Sequence, residues 1–131
     1  DEGELASILT AAEISRKALE SVVDLVRPGV TEKEVALELE FATRRFGSEE
    51  KAFDFIVASG IRGAMPHGVA SDKCIESGDV VTIDFGSCFQ GYFSDETVNF
   101  AVGEIDPELQ KIHEIVLDAH DLAIKSVKPG I

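Results

Sequence analysis

Two aspartates, Asp84 and Asp95, stand eleven residues apart in stretches that otherwise read as β-strand, Val80–Ser87 and Tyr92 to about Val102. Aspartate is disfavoured inside strands, so each needs a reason to be there. If Cys88-Phe89-Gln90-Gly91 is the loop of a hairpin, Ser87 pairs with Tyr92 and Asp84 falls directly opposite Asp95. Their Cβ atoms would then lie about 4.5–5.5 Å apart, and like charges so placed repel. A divalent cation bridging the two carboxylates would compensate, since hard ions prefer oxygen ligands. A shared proton would do the same in a carboxylate dyad. The third reading is a polar stripe that faces solvent, and a bulge would cancel the register altogether.

Thr82, Thr97 and Asn99 share the aspartate face by the period-2 rule, which makes Thr97 and Asn99 candidates to support the pair. His67 lies in the small-residue loop Met65-Pro66-His67-Gly68. It is either a proton shuttle or hydrogen-bond donor near neutral pH, or an ordinary surface residue. His113 and His120 are seven apart on a helical stretch, whereas metal-binding helix pairs are usually four apart, so both read as surface or core-edge residues. Cys74 and Cys88 form no C-x-x-C motif and read as structural, reduced cysteines.

The elements that must position these residues are legible from periodicity. Leu5, Ile8, Leu9, Ala12, Leu19, Val22, Val23 and Val26 recur at helical spacing, predicting a helix from about Glu4 to Val26 that Pro28-Gly29 ends. Thr31 opens a second helix, Glu34 completes a capping box, and Gly47 stands where a terminating glycine belongs. A strand over Phe53–Ala58 follows, then a loop over Ser59–Cys74 rich in Gly, Ser, Asp and Pro. Asp106 caps a last helix with Pro107 at its first position and an apolar stripe of Leu109, Ile112, Val116, Ala119 and Ala123.

Composition excludes some classes. With 25 acidic and 12 basic residues the net charge is −13, which is wrong for nucleic acid and for anionic membrane. No apolar run approaches the ~20 residues of a membrane span. The two cysteines, with no disulfide framework, make a reduced, cytoplasmic setting the expectation, and the start at Asp1 without an initiator Met or a basic-then-apolar leader suggests an excised piece. Val26-Arg27-Pro28-Gly29-Val30 recurs as Val127-Lys128-Pro129-Gly130-Ile131, 101 residues later. A chance match of two helix ends explains this, and so does a duplicated unit of about 100 residues, the chain stopping just as a second copy would begin.

The chain resembles the Xaa-Pro aminopeptidase and prolidase family over essentially its whole length. The resemblance is carried by Phe53-Asp54-Phe55-Ile56-Val57-Ala58-Ser59-Gly60, by Pro66-His67-Gly68 with Ser71-Asp72-Lys73, and above all by two segments around the aspartates. These are Gly78-Asp79-Val80-Val81-Thr82-Ile83-Asp84-Phe85-Gly86 and Gly91-Tyr92-Phe93-Ser94-Asp95, after which Val102-Gly103 continues the match.

The resemblance implies an α+β fold: one half of a pita-bread architecture, with a curved antiparallel sheet and helices on one face. Residues 1–131 would form the first half of the catalytic domain, with the second half absent. It implies two divalent metal ions, with Asp84 chelating one, Asp95 bridging both, and a His and two Glu residues coming from the other half. His67 would contact the substrate or the reacting group. The carboxylate-rich set favours manganese over cobalt, zinc or iron. The implied activity is removal of the N-terminal residue from a peptide substrate at Xaa-Pro bonds. The alternatives are a methionine aminopeptidase and a pita-bread binding module that no longer catalyses. One departure bears on the last of these: the family's Thr-Arg-Thr is Thr97-Val98-Asn99 here. The 131-residue piece alone should be inactive and, with apolar surface uncovered, should form a homo-oligomer.

Overall fold

The structure is a computed structural model and describes residues 1–131. Helix α1 runs Glu2–Val22, started by the Asp1 side chain, which accepts from the Glu4 amide at 3.0 Å. Its last turn tightens into a 3₁₀ turn, Val23–Leu25, instead of continuing as α-helix to Val26. The proline at 28 disfavours helical geometry just before it, and Gly29 then takes a φ of +89°. Helix α2 spans Glu32–Arg45, with Thr31 and Glu34 forming the anticipated reciprocal cap. Gly47 follows at φ +108°.

The strand expected at Phe53–Ala58 begins later: β1 is Ile56–Ser59. It pairs antiparallel with β2, Val80–Phe85, which pairs antiparallel with β5, Glu96–Ala101, in the order β1-β2-β5. Between β2 and β5 the hairpin continues as a separate short ladder, β3 Cys88–Phe89 against β4 Tyr92–Phe93. The loop after β1 is less irregular than its composition suggests, since Gly60–Ala64 forms a 3₁₀ turn.

Alternation splits the sheet into two faces. Val57, Val81, Ile83 and Phe85 point inward and are completely buried against Ala18, Val22, Val35 and Leu39 of α1 and α2. Phe55 and Phe85 meet edge-to-face, with ring centroids 6.0 Å apart. Each such large side chain contributes about 1.5–3 kcal/mol by burial, so the inner face anchors the domain. On the outer face Asp84 and Thr82 are half-buried, and Asp95, Thr97 and Asn99 are exposed.

Helix α3, Pro107–Ser126, does not join α1 and α2. Asp106 caps it, accepting from the Glu108 amide at 2.8 Å, and every one of its residues is exposed. A cleft of about 810 Å³ separates α3 from the outer face of the sheet, lined among others by Ile61, Thr82, Asn99, Leu109, His113 and Val116. Shifted by 101 residues, the buried positions Ala11, Ile14, Ser15, Ala18 and Val22 of α1 fall on Ile112, Ile115, Val116, Ala119 and Ala123 of α3. Gly130 repeats the backbone of Gly29, with φ +88° against +89°. No helix is long and apolar enough to cross a membrane.

Candidate metal centre and active-site face

The hairpin that carries the two aspartates turns more tightly than expected. Its loop is two residues, Gln90-Gly91, with φ of +51° and +76°, rather than the four residues 88–91. A two-residue hairpin turn of this kind needs positive φ at both positions. Glycine supplies one freely. Gln90 is held in the other by its side-chain oxygen, which accepts from Ser7 Oγ at 3.1 Å, and by its amide, which donates to Glu49 Oε1 at 3.0 Å.

The shorter loop corrects the register. Asp84 pairs with Thr97, not with Asp95, and continuing the same register sets Asp95 opposite Gly86. The two aspartates are therefore diagonal neighbours. Such neighbours stand about 7–8 Å apart, not the 4.5–5.5 Å of direct partners. Both stay on the outer face, because the offset of two preserves the side. The expected head-on repulsion is relieved.

Thr97 Oγ1 donates to Asp84 Oδ1 at 2.9 Å, which fixes that carboxylate and leaves its Oδ2 without a partner in the chain. Asn99 contacts neither aspartate; its Oδ1 accepts from Thr82 Oγ1 at 2.7 Å. Asp95 is exposed and takes no hydrogen bond from the chain. Two hard, outward carboxylates, one of them oriented by a hydroxyl, suit a divalent cation. No third His, Cys, Asp or Glu gathers with them here.

A cluster of three serines sets the position of Asp95. The ladder is interrupted between β2 and β3, but it does not slip. The Ser87 amide donates to Ser94 Oγ at 2.9 Å, and the Ser94 amide donates to Ser87 O at 2.9 Å. Ser15 of α1 donates to Ser87 Oγ at 2.8 Å and shares a second hydrogen bond of 2.8 Å with Ser94 Oγ. All three are buried, so α1 pins the hairpin immediately beside Asp95. Gly86 lies under the same crossing. A Cβ there would sit 2.0 Å from Ser94 O and 2.9 Å from Ala52 Cβ.

His67 is exposed at the tip of the loop that follows β1. That loop folds over the aspartate-bearing side of the sheet. Gly68 lies against Ala58, whose strand partner is Thr82, and Gly63 lies against Thr82 Oγ1. Val69 bridges back to Ile56. His67 thus belongs to the outer face, along the β1 side, with Asp84 on β2 and Asp95 immediately before β5.

Sequence reading missed Glu32. It looked like an ordinary acidic first-turn residue, yet it is completely buried and bonded to Ser59, Arg62 and Ser71. Lys73 lies next to this group, donating to Ser59 Oγ at 2.9 Å and to Asp79 Oδ2 at 2.7 Å. The only signal in the sequence is that Ser59, Ser71, Lys73 and Asp79 fall within the segments carrying the resemblance; Arg62 lies between them.

Val98, the departure from the family pattern, pairs with Ile83 and packs against the core, on the opposite side of the sheet from Asp84. His120 contacts Asp121, and His113 lines the α3 cleft. Cys74 is exposed and Cys88 buried, and neither forms a disulfide. Burial pushes the Cys88 thiol above its ordinary range.

Comparison with known proteins places this arrangement. The sequence profile of metallopeptidase family M24 matches residues 6–131. The chain is 46% identical over 130 residues to a Xaa-Pro dipeptidase of Pyrococcus horikoshii, covering 99% of this chain and 37% of that protein. Among solved structures, a Xaa-Pro dipeptidase from Bacillus anthracis superposes with a TM-score of 0.97 at 46% identity, covering 100% of this chain and 37% of that one. An X-Pro aminopeptidase from Thermotoga maritima does so at 0.95 and 48% identity, with the same coverage. The chain therefore spans just over a third of the length of these relatives. The fold described above is shared with these structures over its whole length, and the chain belongs to metallopeptidase family M24.

Proposed function

We propose that the protein carrying this chain is a dinuclear-metal exopeptidase that removes the N-terminal residue from peptides at Xaa-Pro bonds. The observation that supports it most is the pair Asp84 and Asp95, held on one uncovered face inside a fold that matches Xaa-Pro peptidases at high identity. Residues 1–131 are the first half of the catalytic domain. A second half contributes the remaining metal ligands, a His and two Glu residues by family resemblance.

Asp84, its carboxylate fixed by Thr97, and the exposed Asp95 would hold the ions from this half. Divalent ions held there, manganese by ligand preference, would supply Lewis acidity toward the scissile carbonyl and would acidify water. His67 donates a hydrogen bond to the reacting group or to the oxygen that gains charge as the bond breaks. The His67 loop and the β2–β5 hairpin border one outer face, and a peptide lying between them would meet both. The partner is a peptide, the setting cytoplasmic, and the high acidic charge disfavours nucleic acid.

In the full-length protein, Asp84→Ala and Asp95→Ala should each abolish turnover of a Xaa-Pro dipeptide and lower bound manganese. Steady-state assay with metal analysis checks this, and wild-type turnover in either variant refutes the assignment. His67→Ala should keep the metal and lose turnover by about 10²–10³-fold, the usual worth of one stabilising donor.

A further inference from the structure

Glu32 opens α2 and is fully shielded from solvent, and no step of the proposed reaction uses it. Burial alone would raise its carboxyl above the usual range, but the donors around it outweigh burial and hold it below. It therefore sits in the protein as a carboxylate. Oε1 accepts from the Ser59 amide and from Ser59 Oγ, both at 2.8 Å. Oε2 accepts from the Ser71 amide at 3.0 Å, Ser71 Oγ at 2.7 Å and Arg62 Nε at 3.0 Å.

All five donors belong to one stretch of chain. Ser59 and Ser71 are the two stems of the loop whose tip carries His67. Arg62 lies within that loop and also donates through Nη2 to Val69 O at 2.7 Å, two residues past His67. The carboxylate thus draws the stems together, and the guanidinium it holds braces the far limb. Ser59 is the last residue of β1, so the bonds to it also seat α2 on the sheet. The other three donors, from Arg62 and Ser71, lie beyond the strand in the loop itself, and seating α2 alone does not call for them.

We propose that Glu32 is a positioning residue that fixes the His67 loop over the aspartate face, so that the imidazole meets the reacting group in place. This rests on the role given to His67 above. Charge and two-oxygen acceptance are both required. An amide at this position would turn one accepting end into a donor that faces either the Ser59 amide or the Ser71 amide and Arg62 Nε. One buried donor pair would then oppose another.

The test uses the full-length, manganese-loaded protein. Glu32→Gln should lower kcat by about 10–100-fold, the scale of an ångström-sized misplacement, with metal content unchanged. The same substitution in a His67→Ala background should change kcat by less than about twofold, because the loop it holds then carries nothing to position. Glu32→Asp should recover part of the loss. Amide hydrogen exchange over residues 62–71 should accelerate in Glu32→Gln while the core strands stay protected. Ser71→Ala removes a single donor, leaves the carboxylate four, and should show a smaller loss with the same dependence on His67; it serves if Glu32→Gln fails to fold. Equal losses with and without His67, or unaltered exchange in the loop, overturn the proposal alone. Wild-type turnover by His67→Ala itself overturns the role of His67, and this proposal with it.

Discussion

At the scale of single residues, the site depends as much on Gly86 and Thr97 as on the two acids. Thr97 orients the Asp84 carboxylate by occupying one of its oxygens. Gly86 lets the Ser94 carbonyl approach to where any side chain would stand. Gly86→Ala would force that backbone apart, so it should cost about 3 kcal/mol or more. A urea titration of the variant reads this, and an unshifted midpoint would refute the close approach. The aspartates, Thr97 and His67 were legible in the sequence, because polar residues in strand positions and a histidine among small residues advertise themselves. Glu32 was not. Its donors are between 27 and 39 residues further along the chain, and nothing local distinguishes a buried first-turn glutamate from a solvated one.

At the scale of elements, the hairpin and α1 form one unit through Ser15, Ser87 and Ser94. Replacing Ser15 by Ala leaves two buried hydroxyls short of a partner, which should cost about 1–3 kcal/mol. The loss should appear both in thermal unfolding and as faster amide exchange in the hairpin; exchange unchanged from wild type would show that α1 does not pin it. Helix boundaries were legible where a specific cap wrote them, as with Thr31 and Glu34 or Asp106 and Pro107. The hairpin register was not. Asn-Gly or Asp-Gly would have signalled a two-residue turn, but Gln-Gly does not, and Gln90 reaches positive φ only through contacts with Ser7 and Glu49. The register error moved Asp95 by two places and so spared its face. Val98 shows the same rule from the other side. Its position in the alternation puts it among core residues, so the departure from the family pattern does not touch the aspartate face.

At the scale of the whole molecule, two helices cover one face of the sheet and nothing covers the stripe on α3. Ile112, Ile115 and Val116 are 50–59% exposed, although the equivalent positions on α1 are buried. In relatives nearly three times as long, chain is available to cover such a stripe. As an isolated 131-residue chain, the protein should associate with itself to shield these side chains, since each square ångström of apolar surface removed from water is worth about 25 cal/mol. Sedimentation velocity over a concentration series should reveal dimers or larger species, and a concentration-independent monomer would exclude this. The pairing of α1 with α3 is incomplete in one respect. Ser15 has Val116 as its counterpart, so α3 cannot repeat the serine cluster.

The uninterrupted register between β2 and β5 has a consequence for how this stretch can vary. A strand has two sides, so facing is a matter of odd and even. With Ser87 tethered to α1, one residue inserted between Asp84 and Ser87 would turn Asp84 toward the apolar layer, whereas two inserted residues would return it outward. The segment can change its spelling more readily than its length, and only even changes of length keep both acids on the same side. Manganese content of full-length variants carrying one or two extra residues there should separate sharply, and equal occupancy in both would mean that the strand absorbs the extra residue as a bulge.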